Sequence, residues 1–109
     1  MTRPADFRAV VRRGRRVSTL PAVVHVLNTG SASDAAAPSR FGFIVTKAVG
    51  GAVTRNAVKR RLRSVSRDLL STIPEGHDVV IRALPGSEQV PWVTLHAEIA
   101  RGLEREVKG

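Results

Sequence analysis

Between Thr54 and Arg67 the chain reads TRNAVKRRLRSVSR, six basic residues in fourteen positions without one acid. Threaded through this segment and just past it, Val58, Leu62, Val65 and Leu69 recur at i, i+4, i+7 and i+11. That is a narrow apolar stripe at the helical period, and it predicts a helix packed by one side. Thr54 precedes the first helical residue in this reading and is expected to cap it. On the opposite face Asn56, Arg60, Arg63 and Arg67 repeat the same spacing, with Lys59 at their edge. A merely solvated helix interleaves acids at i+4, because like-charged neighbours repel by a few tenths of a kcal/mol each. Here no acid occurs between Asp34 and Asp68. An uncompensated cationic ridge makes sense when phosphates supply the missing charge. The predominance of Arg over Lys favours bidentate phosphate contacts and stacking on exposed bases.

The charge of the whole chain is arranged around the same idea. The net charge is +9 over 109 residues. Residues 1–67 hold fourteen Lys and Arg against two acids, a balance of +12, and residues 68–109 hold four against seven, a balance of −3. Such asymmetry points to a polyanion on one side of the molecule. Nucleic acid is the leading candidate and an anionic membrane surface the competitor. The start of the chain places a basic stretch before an apolar run, as a signal peptide would, but that run is short and interrupted by Pro21 and His25. No stretch of about 18 apolar residues exists to span a bilayer. A mature, cytoplasmic protein is expected. The absence of cysteine removes disulfides, thiolate metal sites and cysteine nucleophiles together.

The length fits one domain over residues 1–109, with residues 29–39 a flexible connector inside it. Ala5–Arg13 is a short helix stopped by Gly14, and Val17 starts a brief strand. Ala22–Leu27 reads as a strand, and Phe41–Thr46 as a second one expected to pair with it as a long-looped hairpin. Gly50-Gly51 breaks the chain before the basic helix. Asp78–Ala83 is a third main strand, and Pro91 opens a final helix running towards Lys108. In that helix Trp92, Leu95, Ile99 and Leu103 share one face, so Trp92 reads as a core anchor and His96 as a packed side chain.

Nothing in these residues composes a nuclease site. A metal-dependent nuclease needs several carboxylates around its ions, and the basic half holds only Asp6 and Asp34. His25, His77 and His96 fall on three different elements, and no Gly-rich nucleotide loop with a following Lys-Ser/Thr occurs. Neither catalytic nor metal-ligating residues are expected. Two binding classes stay open on charge alone: a structural RNA binder of ribosomal-protein type, and a DNA-binding helix-turn-helix protein. The second is disfavoured because strands flank the basic helix.

The segment KAVGGAVTRNAVKRRLR, following the strand FGFIVT, resembles the signature of the bacterial ribonuclease P protein component. That family's pattern runs Lys-Lys/Ala-x-Gly-Asn-Ala-Val-x-Arg-Asn-Arg-x-Lys-Arg-x-x-Arg after a strand. This chain matches it at Lys47, Gly50, Ala52, Val53, Arg55, Asn56, Lys59, Arg60 and Arg63. The likeness extends to Asp6-Phe7, Gly14, AVVHVL, DVVIRA and the last helix. Gly51 stands where the family usually has Asn, and Ala57 replaces the second Arg of the Arg-Asn-Arg motif.

The resemblance implies a single-domain α/β sandwich with a four-stranded, mixed, mostly antiparallel sheet. It further implies a left-handed βαβ crossover, as in the second domain of the fifth small-subunit ribosomal protein. It implies the noncatalytic subunit of an endoribonuclease that removes the 5′ leader from precursor tRNA, the active site being supplied by the RNA subunit. Lys47, Arg55, Asn56, Lys59, Arg60, Arg63 and Arg67 are then the expected contacts to the ribonuclease P RNA subunit. Phe7, Val11 and His25 are the expected lining of a cleft for the precursor tRNA 5′ leader. The resemblance implies no cofactor on the protein alone, magnesium ions in the RNA-containing holoenzyme, and neither a membrane nor DNA as partner.

Overall fold

The apolar stripe of the basic segment sets the architecture, because it commits one side of a long helix to a sheet. The computed structural model describes residues 4–28 and 38–108. The elements run α1 (Pro4–Arg13), β1 (Arg15–Ser18), β2 (Ala22–Asn28), β3 (Arg40–Ile44), α2 (Ala52–Leu69), β4 (His77–Ala83) and α3 (Trp92–Lys108). The expected connector over residues 29–39 lies outside the described residues for 29–37, as does Asp34.

The four strands form one sheet in the order β1-β2-β4-β3. β1 with β2 and β2 with β4 are antiparallel, while β3 runs parallel to β4. The sheet is therefore mixed and mostly antiparallel, and β3, α2 and β4 form a βαβ unit between adjacent strands. The hairpin expected between Ala22–Leu27 and Phe41–Thr46 is not made: β4 is inserted between them. The reason is burial. Every residue of β4 except Arg82 is buried, and a strand covered on both faces belongs in the middle of a sheet. β3, whose one fully buried residue is Gly42, takes the edge.

Strand alternation splits the molecule into two layers. Val24, Val26, Val79, Ile81 and Ala83 point to the side where α2 and α3 lie, and pack there with Val58, Leu62, Val65, Leu69, Leu95, Ile99 and Leu103. Each fully buried Leu or Ile in this cluster contributes about 1.5–3 kcal/mol. Gly102 lets α3 come close: a Cβ there would sit 3.1 Å from side-chain carbons of Val17 and Thr19. On the other side, His25 and Val80 are register partners and are covered by α1, whose Val10 is fully buried. Gly14 ends α1 against β2, where a Cβ would fall 2.6 Å from the carbonyl oxygens of both Val10 and Val26. No side chain fits there without moving backbone.

Three local expectations are corrected. Thr54 does not cap the basic helix: α2 begins at Ala52, with Gly51 at the N-cap and no side-chain cap bond. Gly51 already has extended backbone at φ −71° and ψ 179°, and its carbonyl accepts the Arg55 N–H at 2.9 Å, so the helix starts three residues earlier than expected. Pro91 stands just before α3, its carbonyl accepting from the Leu95 N–H at 2.9 Å. Trp92 is no core anchor; it is 40% exposed. Leu95, Ile99 and Leu103 occupy the buried side, and the first turn of α3 carries the indole out beside α2 instead.

Candidate nucleic-acid interface

α2 brings most of the expected RNA-contacting residues together. Val58, Leu62, Val65 and Leu69 are buried, which holds the helix in one rotation about its axis. Asn56, Arg60, Arg63 and Arg67 consequently face solvent, and Lys59 is half-buried beside them. Arg60 and Arg67 are seven residues apart, about 10 Å along the axis, so the ridge presents separated charges rather than a single point. Lys47 is exposed on the turn before α2, where the Gly50 N–H donates to the Lys47 carbonyl at 3.1 Å. Arg55 is folded back onto this turn, its Nη1 donating to the Gly50 carbonyl at 3.2 Å.

Arg61, the remaining base of the run, has another task. Its Nη1 donates to the carbonyls of Ser87 at 3.3 Å and Glu88 at 3.1 Å, and its Nη2 to that of Val90. The guanidinium thereby caps the one-turn helix at Ser87–Gln89 that leads into α3. A fork of fixed N–H donors suits several converging carbonyls.

The second group of expected residues lies across the sheet, around α1. Phe7 is half-buried and Val11, one turn on, is 39% exposed. His25 is only 3% exposed and lies beneath this surface, facing Arg16 on β1 and Val80 on β4 in register. Neither of its ring nitrogens has a hydrogen-bond partner. Burial, and then the positive charges of Arg16 and Arg82, hold its pKa below the ordinary imidazole value. Those two arginines were missed as candidates, although alternation along VVIRA already turns Arg82 away from the face of Ile81. They make the sheet surface beside α1 cationic, and the exposed Arg8 and Arg12 on α1 add to it.

The two acids nearest this surface are already engaged. Asp78, buried, accepts bonds from Arg40 Nε at 2.9 Å and Nη2 at 2.6 Å, and Asp6 on α1 sits 3.7 Å from Arg40 Nη1. The hydrogen bond to Asp78 raises the Arg40 pKa further. This bridge ties α1 to β3 and β4 and leaves Arg16 and Arg82 without a carboxylate from either acid. Among the described residues no three His, Cys, Asp or Glu side chains gather where they could hold a metal ion. Among them, too, no helix is long and apolar enough to cross a membrane.

Comparison with known proteins identifies the family. Residues 1–107 match the family model for ribonuclease P. The ribonuclease P protein component of Clavibacter michiganensis is 51% identical over 108 residues, covering 99% of this chain and 92% of that protein. That of Streptomyces bikiniensis is 48% identical over 109 residues, covering 95% and 85%. Among solved structures, the Staphylococcus aureus protein superposes with a TM-score of 0.81 at 24% identity, over 100% of this chain and 96% of that one. The Thermotoga maritima protein gives 0.78 at 25% identity, over 93% and 94%. The chain belongs to the family of bacterial ribonuclease P protein components, and its role is that of the protein subunit of that tRNA-processing ribonucleoprotein.

Proposed function

We propose that the protein works as two RNA-binding surfaces on opposite sides of one sheet. The α2 ridge (Lys47, Arg55, Asn56, Lys59, Arg60, Arg63 and Arg67) grips the RNA subunit. The surface around α1 (Phe7 and Val11, with His25 beneath them) guides the 5′ leader of precursor tRNA. The observation that carries the reading is the fixed rotation of α2: four buried apolar residues turn the exposed bases outward, and no acid stands among them in the helix before Asp68. Such a face attracts phosphates, and its exposed Arg60, Arg63 and Arg67 lie outside the core.

Across the sheet, a half-buried Phe7 and the cationic pair Arg16 and Arg82 supply the parts that single-stranded RNA uses, an aromatic surface and a positive track. The protein contributes binding and orientation, and the RNA subunit contributes the chemistry. Magnesium ions belong with the RNA phosphates in this scheme. The site of action is the cytoplasm, and neither DNA nor a membrane is a partner. The test is reconstitution. The protein with a bacterial ribonuclease P RNA should cleave precursor tRNA at low magnesium where the RNA alone does not. Loss of that stimulation on replacing Arg60 and Arg63 by Ala supports the ridge; full stimulation without them overturns it.

A further inference from the structure

Trp92 opens α3 with its indole 40% exposed, and Val93 beside it is 75% exposed. The indole lies 5.1 Å from the His96 ring at an interplanar angle of 38°. His96 Nε2 in turn sits 2.7 Å from Asp68 Oδ2 at the end of α2. The His96 ring, itself held by Asp68, thus packs beside an indole that stays 40% exposed. Beside it, Trp92, Ser64, Arg67 and Asp68 line an open pocket of about 340 Å³, at the small end of the ~300–1,000 Å³ typical of ligand sites. One wall of this pocket is Arg67, the last base of the cationic ridge.

An exposed Trp alone means little, since scattered apolar residues are ordinary on protein surfaces. Its position gives it meaning. The ridge presents Arg60, Arg63 and Arg67 in a line, and the indole stands at the end of that line. A cationic track ending on an aromatic face is the arrangement that holds unpaired nucleotides, with phosphate on the cation and base on the ring. The Asp68 carboxylate repels a phosphate from its part of the pocket, so the phosphate goes to Arg67 and the base to Trp92.

We propose that Trp92 is a stacking platform for one unpaired nucleobase of the ribonuclease P RNA subunit, with Arg67 holding the adjoining phosphate. The assignment rests on the α2 ridge being the RNA-subunit surface. The RNA subunit is the source rather than the precursor's leader, because Trp92 lies on the α2–α3 side of the sheet and the leader surface on the α1 side.

Trp92 is the only Trp and the chain has no Tyr, so intrinsic fluorescence reads this ring alone. Titration of the full chain with transcribed ribonuclease P RNA should quench the emission and shield the indole from iodide; precursor tRNA alone should do neither. Trp92→Leu should weaken binding of that RNA by about 5- to 150-fold, with the log–log salt slope unchanged because no charge is lost. Trp92→Phe should restore most of the affinity.

Unchanged emission at saturating RNA overturns the platform. So does wild-type affinity of folded Trp92→Leu while Arg60→Ala and Arg63→Ala lose affinity, an outcome that leaves the ridge standing. If none of the three variants loses affinity, the ridge falls and the platform with it. Quenching by precursor tRNA but not by the RNA subunit overturns the assignment of the source.

Discussion

Arg60 and Arg61 are adjacent on α2 and serve opposite ends. Arg61 reaches across to the carbonyls of Ser87, Glu88 and Val90, whereas Arg60 faces solvent. Their alanine variants should therefore fail in different assays. Arg61→Ala should destabilise the free protein by about 1.5–3 kcal/mol, the range for hydrogen bonds to a charged group. Leu62→Ala, in the core between them and the sheet, should cost about 2–5 kcal/mol. Arg60→Ala should leave the melting temperature unchanged or slightly raised, and should weaken assembly with the RNA subunit instead. Its log–log salt dependence should become shallower by about one unit for one lost phosphate contact. Thermal melts and RNA titrations at several salt concentrations separate the three. An Arg60→Ala protein that unfolds, yet binds RNA normally in its folded fraction, would show that the ridge is structural.

The bare N-cap of α2 gives a gain-of-stability prediction. Gly51 supplies no side-chain cap, its φ of −71° suits any residue, and nothing lies within 4 Å of where a Cβ would stand. Gly51→Asn should add a cap and reduce the freedom of the unfolded chain, stabilising by about 0.5–1 kcal/mol. That corresponds to a rise of roughly 2–8 °C in Tm for a domain of this size. No rise in a calorimetric scan would mean that the Asn side chain does not reach the free N–H groups of the first turn.

Phe7 tests the leader surface. Phe7→Ala should weaken binding of precursor tRNA to the holoenzyme more than binding of mature tRNA, since only the precursor carries the single strand. A lost base stack costs about 1–3 kcal/mol. Equal losses for both RNAs would point to a folding defect or to a different site for the leader.

His25 makes stability depend on pH in a defined sense. Its folded pKa lies below the ordinary 6.5 because of burial and the nearby Arg16 and Arg82. Below about pH 6.5 the unfolded chain therefore binds more protons at this position than the folded one. The stability associated with a neutral His25 is complete above that pH and is lost as the pH falls towards the depressed folded value. His25→Phe should remove this component, so that the wild-type and variant melting temperatures diverge between pH 7 and 5. Parallel pH profiles would mean that His25 is hydrated or paired in solution.

The sequence by itself determined the parts that depend on local periodicity. The stripe from Val58 to Leu69 set both the helix and the outward direction of Arg60, Arg63 and Arg67, because helix geometry alone relates those positions. The motif around Arg55 and Asn56 carried the family. Pairing was a different matter. Whether β3 joins β2 or β4 depends on which strand is buried on both faces, and that is a property of the closed sheet with α1 on one side and α2 and α3 on the other. The same holds for single side chains. Arg61 reads like its neighbours until the turn at Ser87–Gln89 comes within reach of its guanidinium. Trp92 reads as core by spacing, but the helix it begins meets the sheet only from Leu95 onward, which leaves the indole beside Arg67. His25 reads as lining of the leader cleft, and the packing of α1 over β2 leaves it 3% exposed beneath that surface. Spacing fixes which residues share a face; only the packing of elements distant in the chain decides what each face meets.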